Sequence, residues 1–104
     1  SEAMLIFNEL TENFPDYAEA WNRRATLHYL LGNYQESIRD IEKVLALEPR
    51  HFGALSGLGL VYLQLDQLGK AKQAFEDLID VHPNSPNAQE NLRRVDQDLR
   101  LNVI

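Results

Sequence analysis

The 104-residue sequence has no cysteine, and only one methionine and one tryptophan. Without cysteine there is no disulfide, no thiolate nucleophile and no cysteine-held metal. That leaves the compartment open, because a helical domain needs no disulfide anywhere; a soluble protein of the cytoplasm or periplasm is the expectation. No apolar run approaches the roughly 18 residues that a membrane-crossing helix requires. The longest, Gly53 to Leu65, has the length of a buried core helix and is interrupted by Ser56 and Gln64. Membrane insertion is therefore not expected, and no leader-like segment opens the sequence. Positive charge is scarce: 10 Lys and Arg against 16 Asp and Glu give a net charge of −6. Such a chain is repelled by phosphate backbones and anionic lipid, so nucleic acid and membrane surfaces are poor partners and a neutral or basic peptide is a better one. With 44% hydrophobic and 25% charged residues the chain reads as one ordinary folded domain.

What the sequence does contain is a repeat. Pro15, Pro49 and Pro83 each stand 34 residues from the next. The same step superposes Ala20, Ala54 and Ala88; Phe7, Ile41 and Phe75; Leu10, Val44 and Leu78; and Ala3, Ser37 and Ala71. Columns of matched size and polarity at one fixed spacing mark stacked supersecondary units.

Each unit reads as two helices. Trp21, Ala25, Leu27, Tyr29 and Leu31 keep helical spacing, and Gly32-Asn33 breaks the run. A second amphipathic segment follows, with Ile38, Ile41, Val44, Leu45 and Leu47 on one side and Glu36, Arg39, Asp40, Glu42 and Lys43 on the other. Asp16 stands three residues before Glu19, and Asn33 three before Glu36, which predicts capping boxes at both helix starts. Pro49 ends the pair, since proline disfavours helical geometry in the residue before it. The scheme recurs as Phe52 to Leu65, a turn at Asp66-Gln67, then Leu68 to Val81 before Pro83. Ser85-Pro86 opens a further helix, serine as cap and proline at the first helical position.

These residues resemble the tetratricopeptide repeat. Leu55, Leu58-Gly59, Tyr62, Ala71, Phe75 and Pro83 reproduce its pattern with leucine in place of the leading tryptophan. The preceding copy carries Trp21, Arg24-Ala25, His28, Ser37, Ile41 and Pro49, and departs at Arg24 and His28. Ala3, Phe7, Leu10 and Pro15 match only the second half of a repeat, Ala88 and Leu92 only the first. The resemblance implies an all-α, right-handed α-α solenoid in a single domain. Its expected parts are a second helix of a partial repeat at 2–14, repeats at 18–51 and 52–85, and a capping helix at 86–100. Small residues at Ala20, Ala25, Ala54 and Gly59 are expected to let paired helices approach, with Phe7, Ile41 and Phe75 filling the space between pairs.

The resemblance also implies a use. In this family the first helix of each pair lines a concave surface that takes a peptide or a partner protein. The matching positions here are Glu19, Asn22, Arg23, Thr26, Tyr29 and Leu30, then Ser56, Gly57, Leu60, Leu63 and Gln64, then Asn87, Glu90, Asn91 and Arg94. Leu60 and Leu63 are apolar on a face that need not be, and Tyr29 adds a rigid amphipathic contact. Family members that hold a chaperone's C-terminal carboxylate do so with lysine, asparagine and arginine. The matching positions here, Asn22, Thr26, Gly57, Asn87 and Asn91, are all neutral, which argues against that ligand.

The two ends differ. Beyond Leu92, only Val95 and Leu99 continue a narrow apolar stripe, and Arg93 stands where Ala25 and Gly59 stand, so this segment is expected to cap the stack. The apolar tail Leu101, Val103 and Ile104 is expected to fold back or touch a neighbour. At the other end Met4, Leu5, Ile6, Phe7 and Leu10 form a helix that in this family packs on a preceding one. Either the chain is part of a longer solenoid or this face, through Met4, Ile6, Phe7 and Leu10, pairs with a second copy.

Catalytic chemistry finds no foothold. His28, His51 and His82 do not pair at helical spacing, and no HExxH arrangement occurs, so no metal and no cofactor is expected. Ser37 replaces a small core residue, and Ser56 has no histidine partner at a recognisable spacing. Asp40, Glu42, Glu76 and Asp77 are read as solvated charge on outer faces. Gly53, Gly57, Gly59 and Gly69 lack the strand-to-helix setting of a phosphate loop. The reading is a non-catalytic binding module.

Overall fold

The 3.6-residue periodicity resolves into six helices in the computed structural model, which describes residues 1–103 and the side chains of 1–101. They are α1 (Glu2–Asn13), α2 (Ala18–Leu30), α3 (Tyr34–Leu47), α4 (Phe52–Gln64), α5 (Leu68–Val81) and α6 (Pro86–Val103). Among the described residues there is no strand. Each helix packs on the next in chain order, and α2 also touches α4, so the chain stacks as an all-α helix-pair solenoid, 48 Å long and 26 by 19 Å across. No described helix is long and apolar enough to cross a membrane.

Two turns of matching geometry close the pairs. Gly32 after α2 and Asp66 after α4 are repeat equivalents, and both adopt left-handed backbone, at φ 79° and 57°. At each, the following amide reaches back five residues: Asn33 N–H donates to the His28 carbonyl at 2.8 Å and Gln67 N–H to that of Tyr62 at 2.9 Å. Glycine takes this conformation freely; aspartate is among the few other residues that tolerate it.

The helix starts are built differently from the sequence expectation. Tyr17, not Asp16, is the N-cap of α2, and no side chain caps it. The first turn is instead tied down by Trp21, whose indole N–H donates to the Pro15 carbonyl at 2.9 Å. Asn33 does occupy the α3 N-cap, yet its side chain makes no capping bond and lies 3.4 Å from Nδ1 of His28. The α4 cap was not foreseen: Nδ1 of His51 accepts from the Ala54 amide at 3.0 Å. At α6 the expected serine cap is present, with Ser85 Oγ accepting from the Ala88 amide at 3.4 Å.

The core follows the repeat columns. One cluster joins α2, α3 and α4 around Ala25, Ile41, Val44, Ala54 and Val61; a second joins α4, α5 and α6 around Leu55, Ala71, Phe75, Leu78, Ala88 and Val95. Gly59 lies flat against Phe75: a Cβ built there would stand 2.5 Å from the ring, a distance real side chains do not adopt. Ser37, fully buried, donates its hydroxyl to the Ala25 carbonyl at 2.8 Å and so bonds α3 to α2. On α6 the buried face is Ala88 and Val95 with Leu92 and Leu99 beside them, while Arg93 is exposed and pairs with Glu90 at 3.1 Å. The helix runs past residue 100 to Val103, and Leu101 on it is exposed rather than folded back. Ile104 and the side chain of Val103 lie outside the described residues.

One charge departs from expectation. Asp40 is buried, not on a solvated outer face: the Arg24 guanidinium donates to both its oxygens, each at 2.8 Å. Arg24 also donates to Asn8 Oδ1 at 3.0 Å and Thr11 Oγ1 at 2.9 Å, tying α1, α2 and α3 together. Asp40 holds the guanidinium above even its ordinary high pKa, so the charge on Arg24 is permanent. Glu42, Glu76 and Asp77 are exposed as read.

Candidate functional site

Three adjoining hollows run along the face formed by the first helix of each pair. The outermost, about 460 Å³, lies between α1 and α2 and is lined by Phe7, Glu19, Asn22, Arg23, Thr26, Leu27 and Leu30. Its rim carries charge on one side only, where Glu19 sits 3.4 Å from Nε of Arg23 and 3.8 Å from Nε2 of His51.

The middle hollow, about 220 Å³, opens between α2 and α4. Asn22, Thr26 and Leu30 are shared with the first, so the two are continuous. Tyr29, Gly57 and Leu60 complete the rim, and Ala25, Ser37, Ile41 and Val61 form its floor. None of these residues is charged, so the wall can offer an apolar group contact without leaving a buried charge unpaired. Tyr29 is held against Tyr34, their ring centroids 5.8 Å apart.

The third hollow, about 380 Å³, lies between α4 and α6 and shares Leu60 with the second. Leu63, Gln64, Leu68 and Asn91 line it together with Asp66, Arg94 and Asp98. Beyond it, Asp66 and Asp98 reappear with Leu68 and Leu101 around a smaller depression of about 220 Å³.

Of the positions read from the sequence, Glu19, Asn22, Arg23, Thr26, Tyr29, Leu30, Gly57, Leu60, Leu63, Gln64, Asn91 and Arg94 line these hollows. Ser56, Asn87 and Glu90 do not. Ser56 is half-buried, and Asn87 and Glu90 sit in the exposed first turns of α6, short of the hollow that Asn91 and Arg94 reach. The floor residues Ile41 and Val61 were missed, because a core column gives no sign that a gap in the rim exposes it. Asp66 and Asp98 were missed too; they come together from a turn and the end of α6. Among the described residues, no three of His, Asp and Glu group as a metal site would need.

The α1 surface is open on the side away from α2. Leu5 and Ile6 are 66% and 55% exposed, whereas Met4, Phe7 and Leu10 are half-buried, Phe7 against the first hollow. Ala3 is exposed although its repeat equivalents Ser37 and Ala71 are buried.

Comparison with known proteins agrees with the helix-pair fold. Family models described as tetratricopeptide repeat match residues 18–51 and 54–85. A TPR repeat-containing protein of Rhizobium etli is 46% identical over 85 residues, covering 82% of this chain and 42% of that protein. Sperm-associated antigen 1 of Homo sapiens is 30% identical over 99 residues, covering 95% of this chain and 11% of its own length. The chain thus spans less than half of the curated relatives it matches. Among solved structures, the first TPR of Spaghetti (RPAP3) bound to the HSP90 peptide SRMEEVD superposes with a TM-score of 0.90 at 23% identity, covering 93% of this chain and 77% of that one. The Sgt2 TPR domain from Aspergillus fumigatus superposes at 0.85 and 20% identity, covering 93% of this chain and 66% of that one.

Proposed function

This chain belongs to the tetratricopeptide repeat family, and we propose that it is a non-catalytic protein-interaction module that holds a peptide segment of its partner in the groove lined by α2, α4 and α6. The supporting observation is the continuity of the three hollows: Asn22, Thr26 and Leu30 join the first to the second, and Leu60 joins the second to the third. A groove this short buries few anchors, so affinity for one peptide is on the order of micromolar. The HSP90 peptide bound by the Spaghetti domain illustrates the mode of use on a similar backbone. Its acidic sequence is a poor match to a groove whose matching positions here are neutral.

Thr26 is exposed and borders two hollows, so Thr26→Arg fills the groove without touching the core. Partners captured from lysate by the wild type are expected to be lost by Thr26→Arg and Leu60→Arg. Retention of the same partners by both variants would place binding elsewhere on the molecule.

A second reading rests on α1. Leu5 and Ile6 are large apolar side chains exposed at consecutive positions of α1, and exposed apolar surface commonly marks self-association. On this reading the face of Met4, Ile6, Phe7 and Leu10 pairs with a second copy, and Leu5→Lys with Ile6→Lys yields a monomer by light scattering. A wild type that is monomeric at every concentration tested excludes it.

A further inference from the structure

The middle hollow is bordered by a glycine inside a helix. Gly57 lies inside α4, where glycine is a poorer helix former than alanine. Packing does not demand it: a Cβ there would meet Cδ1 of Ile41 at 3.6 Å, an ordinary contact. Gly59, two residues on, is the opposite case, since any Cβ there collides with Phe75. What glycine does at position 57 is leave uncovered an uncharged well floored by Ile41 and Val61, large enough at about 220 Å³ for a branched aliphatic or aromatic side chain.

The neighbouring hollow has a different character. Asp66 and Asp98 face a single basic residue, Arg94, and the same two carboxylates line the depression that adjoins it. This end of the groove is net acidic, within a chain whose formal charge is −6. Charge complementarity favours a basic group here and penalises an acidic one.

Resting on the groove reading above, we infer that the partner segment is an extended basic peptide that places one large apolar side chain in the well over Gly57 and a lysine or arginine against Asp66 and Asp98. Adjacent hollows are about one helix-to-helix spacing apart, roughly 10 Å, and an extended chain advances about 3.3 Å per residue. Gly57 and Asp66 also lie nine residues apart along α4 and the turn after it, roughly 13 Å, so with the reach of a long basic side chain the anchor and the basic residue are about three to five positions apart in the peptide. This chemistry is opposite in charge to the SRMEEVD peptide of the Spaghetti complex.

The test begins with phage-displayed random dodecapeptides selected on the immobilised wild-type chain. The most enriched peptide is then labelled with fluorescein and its binding followed by polarisation. Enriched sequences are expected to pair a leucine, isoleucine or aromatic residue with a lysine or arginine about three to five positions away, and SRMEEVD is expected to bind far more weakly. Gly57→Leu, which fills the well, is expected to weaken binding at least about tenfold while the thermal melt does not fall. Gly57→Ala narrows the well with a gain in helix propensity and serves as the second variant should leucine perturb the fold. Asp66→Asn with Asp98→Asn is expected to weaken binding by about tenfold; asparagine tolerates the left-handed backbone at position 66. Acidic enriched peptides, or binding unchanged in both Gly57 variants, overturn the inference. If such binding is nevertheless lost in Thr26→Arg, the groove reading survives without it. An absence of any enrichment overturns both.

Discussion

Arg24 on α2 holds Asp40 on α3 in two parallel bonds of 2.8 Å, and the aspartate side chain is only 5% exposed. The remaining guanidinium nitrogen bonds Asn8 and Thr11 on α1, and no buried side-chain polar atom among the described residues is left without a partner. A planar fork is therefore used where the second repeat has Leu58, and it joins three helices.

Breaking that pair should be costly and replacing it should not. Arg24→Leu leaves the Asp40 carboxylate buried without its cation and is expected to lower stability by about 3 kcal/mol. Adding Asp40→Leu is expected to recover most of the loss. Chemical denaturation of the two variants checks this; equal losses in single and double variants would show that the pair does not act as a unit.

Gly59 and Gly69 should respond to alanine with opposite signs. Gly59→Ala drives a methyl into the Phe75 ring and is expected to cost about 1–3 kcal/mol. Gly69→Ala meets nothing within 4 Å in the first turn of α5 and is expected to gain about 0.5–1 kcal/mol. Phe75→Ala, removing a fully buried ring, is expected to lose about 3–5 kcal/mol. Thermal melts of the three variants order them.

The left-handed turn gives a third test. Gly32 has open space around it, so Gly32→Ala meets no clash, and its expected loss of about 1–2 kcal/mol is purely conformational. A neutral result would mean the turn relaxes to another geometry.

Lys72 supplies the pH dependence. Its ammonium bonds Asp96 at 2.9 Å, and that bond raises its pKa above the ordinary 10.5. A group whose folded pKa is raised stabilises fully below its unfolded value and loses that contribution as pH rises through the folded one. Wild type should therefore lose stability relative to Lys72→Met only as pH rises past about 10.5 into the strongly alkaline range, with the gap unchanged across neutral pH. The contribution is small because the pair is solvent-exposed.

Much of the fold was legible because a 34-residue period repeats the same sizes at the same positions, and packing between neighbours needs only that. Gly59 and Phe75 were legible as a small and a large core position, but that they lie against each other is shown only by the structure. Arg24 stood out as a departure, but its partner did not: Asp40 is 16 residues away, shares a helix with solvated charges, and only the α2–α3 pairing brings it inward. The caps misled because an acid three residues after a short polar side chain fits a capping box at more than one register. Here Trp21 ties down the start of α2 instead, and α3 begins at Asn33 without a side-chain cap. The groove positions followed from helix phase, but Ser56, Asn87 and Glu90 show that phase alone does not say which of them border open space. The acidic end formed by Asp66 and Asp98 joins a turn to a distant helix, and no local pattern signals it.

On the groove reading, α2, α4 and α6 together form the working surface. Amide chemical-shift mapping with the tightest selected peptide tests it most directly. Perturbations are expected to concentrate at Asn22, Thr26, Gly57, Leu60 and Asn91 and to be lost in Thr26→Arg. Perturbations concentrated instead on α1, around Leu5 and Ile6, would contradict it.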